Sequence, residues 1–176
     1  MNPTTIDIPG LPPATTTYSQ VSILGDLLFV SGQIGIDPAT GRLADGGIQA
    51  QTRHAIENID RCLAAAGTSL DKVAKVNLYL ADFGMIGAAN EIYAQYFKHR
   101  PAKTGAGVDK LWGGALIEIE VVASLRSMTA IWKGLTTIKK ATESGDLEIE
   151  GHPSLARSMQ QWLGLSAFAN QVRRVQ

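Results

Sequence analysis

The segment ALIEIEVVASL at residues 115–125 leaves the chain few choices. Its β-branched residues favour a strand, and Ile117 and Ile119 alternate with Glu118 and Glu120. Successive side chains of a strand point to opposite faces, so the isoleucines share one face and the carboxylates the other. A strand of this kind has to be covered on its apolar face while its acidic face meets water or a cleft. The rest of the chain supplies the cover. Two apolar runs, at 19–24 and 27–34, flank Gly25-Asp26, a dipeptide suited to a tight hairpin turn. KVAKVNLYLAD at 72–82 alternates as a further strand, and DPATGRL provides turn chemistry through Asp37-Pro38 and Gly41.

Between these strands the apolar spacing changes from two to between three and four. Ile48, Thr52, Ala55, Ile56, Ile59, Leu63 and Ala66 form a helical stripe stopped by Gly67, with Gln51, Arg53, Glu57 and Asp60 on the other side. A second helix is predicted over 85–97, with Ile86, Ala89, Ile92, Tyr93 and Phe97 on one face and Pro101 ending it. Strand–strand–helix–strand–helix–strand is an α+β order: a mixed sheet with two helices packed on one face. One domain spans residues 1–126, beginning with a Pro- and Thr-rich arm, and a mixed C-terminal extension of unknown role spans 127–176. In that extension MTAIWKG and DLEIEG read as strands, and LTTIKKATESG reads as a helix. Leu155, Met159, Trp162 and Leu163 fall at helical spacing after Ser154. The extension has too little chain to bury its own apolar faces, so it is expected to dock on the core or on another subunit.

Composition removes several function classes. Sixteen basic and sixteen acidic residues cancel, and aromatics make up 6% of the chain. Neither a global field for nucleic acid nor a stacking platform for single strands is expected. No stretch approaches the roughly 20 apolar residues of a membrane span. The amino terminus lacks the basic and apolar segments of a signal peptide, and a reduced cytoplasmic setting is the default. Cys62 is the single cysteine, and His54, His99 and His152 are isolated from one another, so no metal-ligand spacing is present.

Three places could carry chemistry. Glu118 and Glu120 either line a wet strand face or include one carboxylate that handles a proton or a water in a cleft. Tyr18, before the first hairpin strand, either packs or lines a pocket, and Ser31-Gly32 would let a ligand approach backbone amides. Lys103, in RPAKTGAG at 100–107, is either a solvated loop charge or a site cation. It follows the stiff Pro101 and precedes small residues that leave room beside it.

Taken together these residues resemble a known family. YSQ, LLFVSGQIGIDPATGRL, GGIQAQTRHAIENI, LAAAGTSLDKVAKVNLYLAD, NEIYAQYF, RPAKT and GALIEIEVVA are similar, in order and spacing, to the Rid family of reactive intermediate/imine deaminases over roughly residues 15–126. The resemblance implies a chorismate-mutase-like α+β fold and a homotrimer with clefts between neighbouring subunits. It also implies hydrolysis, without metal or organic cofactor, of enamines or imines such as 2-aminoacrylate to 2-oxo acids and ammonia. Carried over by position, Glu118 would orient or activate water, Lys103 would pair with the anionic substrate and Tyr18 would shape the cleft. Ser31, Gly32, Thr104 and Gly105 would contact the ligand.

The chain departs from the pattern at Lys103. Family members active on imines typically carry arginine there, and a lysine offers a mobile point charge without the planar fork. Gly105 stands where the family often has cysteine, and LWGG replaces a Leu-Pro-rich turn. Two rivals to a deaminase of small enamines therefore stand: a non-catalytic small-anion-binding or regulatory module, and an enzyme for a bulkier imine. RNA cleavage, attributed to some relatives, finds no support in the neutral charge.

Overall fold

The structure, a computed structural model, describes residues 2–8, 11 and 17–125. The chain falls into two units, Met1–Ser124 and Leu125–Gln176; the strands and helices expected of the tail lie outside the described residues.

The first unit runs β1 (Thr4–Ile6), β2 (Val21–Leu24), β3 (Leu27–Ile34), β4 (Ile36–Asp37), β5 (Arg42–Leu43), α1 (Gly47–Ala65), β6 (Val73–Leu80), α2 (Ile86–Tyr96), β7 (Ala102–Gly107) and β8 (Ile117–Ser124). Six strands form one sheet in the order β1-β2-β3-β8-β6-β7, and β4 and β5 pair separately around the Asp37 turn. Every neighbouring pair in the large sheet is antiparallel except β6 and β7, which run parallel. The sheet is mixed and both helices lie on one side of it, as the alternation of periods requires.

RPAKTGAG is not a loop leading into a strand, as the sequence reading had it. Residues 102–107 are themselves the strand β7, paired with β6 from Lys75↔Ala102 to Leu80↔Gly107. Glycine, alanine and threonine there give no apolar alternation to read, and the free edge of β6 supplies the hydrogen bonds instead. Within the arm, Thr4–Ile6 adds an edge strand to β2.

The period of two sorts the sheet's residues by face. Leu28, Val30, Val76, Leu78, Ile117 and Ile119 are buried under the helices with Ile56, Ile59, Leu63 and Phe97. Two buried polar side chains fix α1 to the strand ends. Gln51 accepts a hydrogen bond from the Leu116 amide at 2.8 Å, and Asn58 donates to the Ile36 carbonyl at 2.9 Å and the Ile34 carbonyl at 3.3 Å. Each such bond contributes about 1 kcal/mol, but together they leave α1 one seating on the sheet. The other face is open. It carries Lys75, Asn77, Tyr79, Glu118 and Glu120 at its centre, and Leu24, Leu27 and Phe29 stand exposed at its β2–β3 end.

Candidate active site

On the open face β3 bulges between Val30 and Gln33, so that Ser31 and Gly32 together oppose Glu120. The bulge is tied down from outside the ladder: the Ser31 hydroxyl donates to the Ser19 carbonyl at 2.6 Å, and the Ser31 amide donates to the Gln20 carbonyl at 3.0 Å. Tyr18, the residue before Ser19, is half exposed. The Glu118 side chain lies over Gly32. A Cβ at position 32 would come 1.8 Å from Glu118 Oε1, closer than any two such atoms can stand. Gly32 is therefore needed first to seat this carboxyl, a more particular reason than general ligand access.

The two glutamates of β8 have different company. Glu120 accepts hydrogen bonds from Asn77 Nδ2 at 2.7 Å and from the Tyr79 hydroxyl at 3.1 Å. Glu118 has no hydrogen-bond partner among the described residues. Burial, and then the neighbouring charge of Glu120, raise its pKa above the ordinary carboxyl value. A carboxyl free of protein partners is available to exchange a proton with a ligand. On the same face a hollow of about 210 Å³ opens beside Glu120, with Ser22, Phe29, Ser31, Lys75 and Asn77 also in its wall, and Glu118 is not among its lining residues.

Lys103 faces the other way. In the parallel ladder it is level with the core residue Val76, so it shares the helix side of the sheet. Its ammonium donates to Asn90 Oδ1 and stands 4.4 Å above the centre of the Tyr93 ring, both on α2. A ring face attracts a cation through its quadrupole, and no carboxylate pairs with Lys103 among the described residues. Partial burial lowers its pKa. Thr104, one residue on, points to the open face, where Lys75 donates to its hydroxyl. Gly105 returns to the helix side, its missing side chain directed at Ile86 and Phe83.

The candidate residues thus form two groups. Ser31, Gly32 and Glu118 gather on the open face, with Thr104 on that face at the far edge. Lys103 and Gly105 lie on the helix side, with β6 between their strand and that of Glu118. Two strand spacings make about 10 Å, and the thickness of the sheet is added to that. One small ligand cannot bridge the two groups within one chain. Sequence reasoning missed Asn90 and placed Tyr93 only in the core. The signal for Asn90 was a polar residue four places after Ile86, on the apolar face of α2. Among the described residues no three acidic, histidine or cysteine side chains gather as a metal would require. Cys62 is fully buried and its thiol is pushed up to about 12, which makes it inert.

A mixed sheet carrying two helices on one face and a carboxyl seated over a glycine on the other is the arrangement of a Rid-type α+β protein. A solved Rid family structure from Yersinia pestis, 39% identical, superposes with a TM-score of 0.67 over 70% of this chain and all of that one. Escherichia coli TdcF, solved with bound serine and 30% identical, gives a TM-score of 0.64 over 69% of this chain and 98% of its own. The family model described as Endoribonuclease L-PSP matches residues 10–125, and the chain belongs to that family, which includes the Rid and RutC proteins. It is 47% identical over 107 residues to a RutC family protein of Pyrococcus horikoshii, covering 60% of this chain and 85% of the relative. It is 41% identical over 113 residues to the human 2-iminobutanoate/2-iminopropanoate deaminase, covering 64% of this chain and 82% of the relative. No helix among the described residues is long and apolar enough to cross a membrane.

Proposed function

We propose that this protein hydrolyses enamine or imine intermediates to 2-oxo acids and ammonia. Its site would be completed between copies of the chain: Glu118, Gly32, Ser31 and Tyr18 from one, Lys103 and Gly105 from its neighbour. The observation that carries the reading is the Glu118 carboxyl seated over Gly32, with a raised pKa and no hydrogen-bond partner among the described residues. In its acid form it returns a proton to the enamine carbon. Its carboxylate then assists water onto the iminium carbon, the amino group takes up a proton, and ammonia leaves. Lys103 binds the substrate carboxylate. The human deaminase relative and the exposed Leu24, Leu27 and Phe29 of the open face, which an assembly would cover, support this reading. A homotrimer in the cytoplasm is the form we propose.

The decisive measurement is ammonia release from freshly generated 2-aminoacrylate. A rate above the spontaneous one supports catalysis. Ligand-dependent thermal stabilisation with no such rate would identify a binding module instead. That second reading draws on Lys103 being held by Asn90 and Tyr93 rather than presenting a fork.

Lys103→Arg is expected to raise kcat/KM on small imino acids several-fold. Lys103→Ala should lower it by roughly 10–100-fold, the scale of one charge-assisted hydrogen bond. The pH profile gives a further check. The cationic form binds the anion, so affinity is lost as pH rises through the lowered lysine pKa. In Lys103→Arg the alkaline limb of kcat/KM should move upward, because arginine stays charged. An unmoved limb would take Lys103 out of the site.

Sharing between copies is tested by mixing. Lys103→Ala and Glu118→Gln chains, each impaired alone, should recover activity when dissociated and reassembled together, because some sites then receive both wild-type halves. No recovery, with mixed assemblies demonstrated by mass, would place each site within one chain.

A further inference from the structure

The hollow on the open face holds two opposite charges that do not pair with each other. Lys75 stands directly across from Val122, and Glu120 lies two residues back along β8. Such diagonal neighbours stand about 7–8 Å apart, within reach of these long side chains, yet each turns elsewhere. Lys75 donates to the Thr104 hydroxyl on β7, and no carboxylate pairs with it among the described residues. Glu120 accepts from Asn77 Nδ2 and from the Tyr79 hydroxyl, and both bonds end on the same oxygen, Oε1. Its Oε2 has no hydrogen-bond partner among the described residues. Towards β2 the floor is apolar: Val122 is level with Phe29, which is 39% exposed. About 210 Å³ is room for several waters at roughly 30 Å³ each, and so for one molecule the size of an amino acid. Neither Glu118 nor Lys103 lines this hollow; of the proposed catalytic group only Ser31 does.

We infer that this hollow binds a free α-amino acid with a branched aliphatic side chain, at a site separate from the catalytic one. The carboxylate of the zwitterion meets the Lys75 ammonium and its ammonium meets Glu120 Oε2, while the side chain lies over Val122 against the Phe29 ring. Lys75 keeps two N–H groups free for the carboxylate. Opposite charges separated by one carbon suit two protein charges that are near but unpaired, and a ligand with a single charge leaves one of them unanswered. Assembly sharpens the demand. Phe29 is among the exposed apolar residues that a neighbouring copy would cover, and closing the face would strip water from both charges. A charge taken out of water without a partner is costly, and the zwitterion supplies both partners at once.

Titration calorimetry on the intact protein compares L-leucine with 4-methylpentanoate, which lacks the ammonium, and with 3-methylbutylamine, which lacks the carboxylate. Wild type should bind leucine at least about tenfold more tightly than either, the scale of a charge-assisted hydrogen bond. Lys75→Met should weaken leucine by about tenfold or more and leave the amine unchanged. Glu120→Gln should weaken leucine as much and leave 4-methylpentanoate unchanged. Lys103→Ala should bind leucine as wild type does. No leucine binding by wild type at roughly 10 mM, where a millimolar site would be nearly filled, overturns the inference. So does equal binding of the three ligands, or leucine binding that is lost in Lys103→Ala and kept in Lys75→Met, which would place the amino acid at the catalytic group.

Discussion

Glu118→Gln is expected to lower ammonia release from 2-aminoacrylate at least a hundredfold, yet to melt at or above the wild-type temperature at pH 7. Glutamine keeps the shape of the side chain over Gly32 but cannot give or take the proton, and a positioned acid or base is worth about 10²–10⁴ in rate. The stability effect has the opposite sign. Burial and the charge of Glu120 raise the folded-state pKa of Glu118 above the ordinary carboxyl value. For a carboxyl shifted that way, the folded state is fully favoured below the unfolded pKa and loses that advantage as pH rises through the raised value. Above the unfolded pKa the charge on Glu118 therefore works against folding, and the amide removes the penalty. The gap between variant and wild-type melting temperatures should open above about pH 4.5 and close below it. Calorimetry from pH 4 to 8 beside the ammonia assay checks both halves. A variant that melts lower at pH 7 and retains its rate would make Glu118 a structural residue.

The fold was legible wherever burial is one-sided. β2, β3, β6 and β8 alternate in sequence because one of their faces is roofed by helices, and α1 and α2 repeat at three and four because each has one covered stripe. β7 was not legible: its residues 102–107 pair through backbone groups while presenting little side chain to either face. That omission also hid the sorting of Lys103 and Thr104. Neighbours in a loop can both contact one ligand, whereas neighbours in a strand cannot. For the glutamates, alternation placed both on one face but could not choose between them. The choice follows from Asn77 and Tyr79, which arrive from β6 and occupy Glu120 alone. Lys103 entered the candidate list through its setting between Pro101 and a run of small residues, and only the family resemblance gave it a role, since a single lysine carries no periodic signal. Its Asn90 and Tyr93 partners follow only once α2 and β7 are seen to be antiparallel neighbours.

Gly32 and Gly35 stand three residues apart, and alanine is expected to do opposite things at each. At Gly32 the new methyl group meets only the far end of a side chain, with Glu118 Oε1 at 1.8 Å, Cδ at 2.7 Å and Cγ at 2.9 Å. The carboxyl can swing away over the open face, so Gly32→Ala should melt within about 2 °C of wild type, as substitutions on an unpacked surface do. The swing takes the carboxyl off its seat, and the rate should fall nearly as far as in Glu118→Gln. At Gly35 the methyl group meets backbone: Gln51 Cα at 2.4 Å and the Gln51 carbonyl oxygen at 2.5 Å. The helix cannot retreat, because the same Gln51 holds the Leu116 amide and Asn58 holds the carbonyls of Ile34 and Ile36. Overpacking against fixed backbone should cost about 3 kcal/mol, the upper end of its usual range. In a unit of this size that lowers the melting temperature by roughly 10 °C. Thermal melts and ammonia release on both variants decide the matter. Normal activity in a folded Gly32→Ala would detach the carboxyl's seat from catalysis, and a Gly35→Ala protein as stable as wild type would show that α1 is free to shift on the sheet.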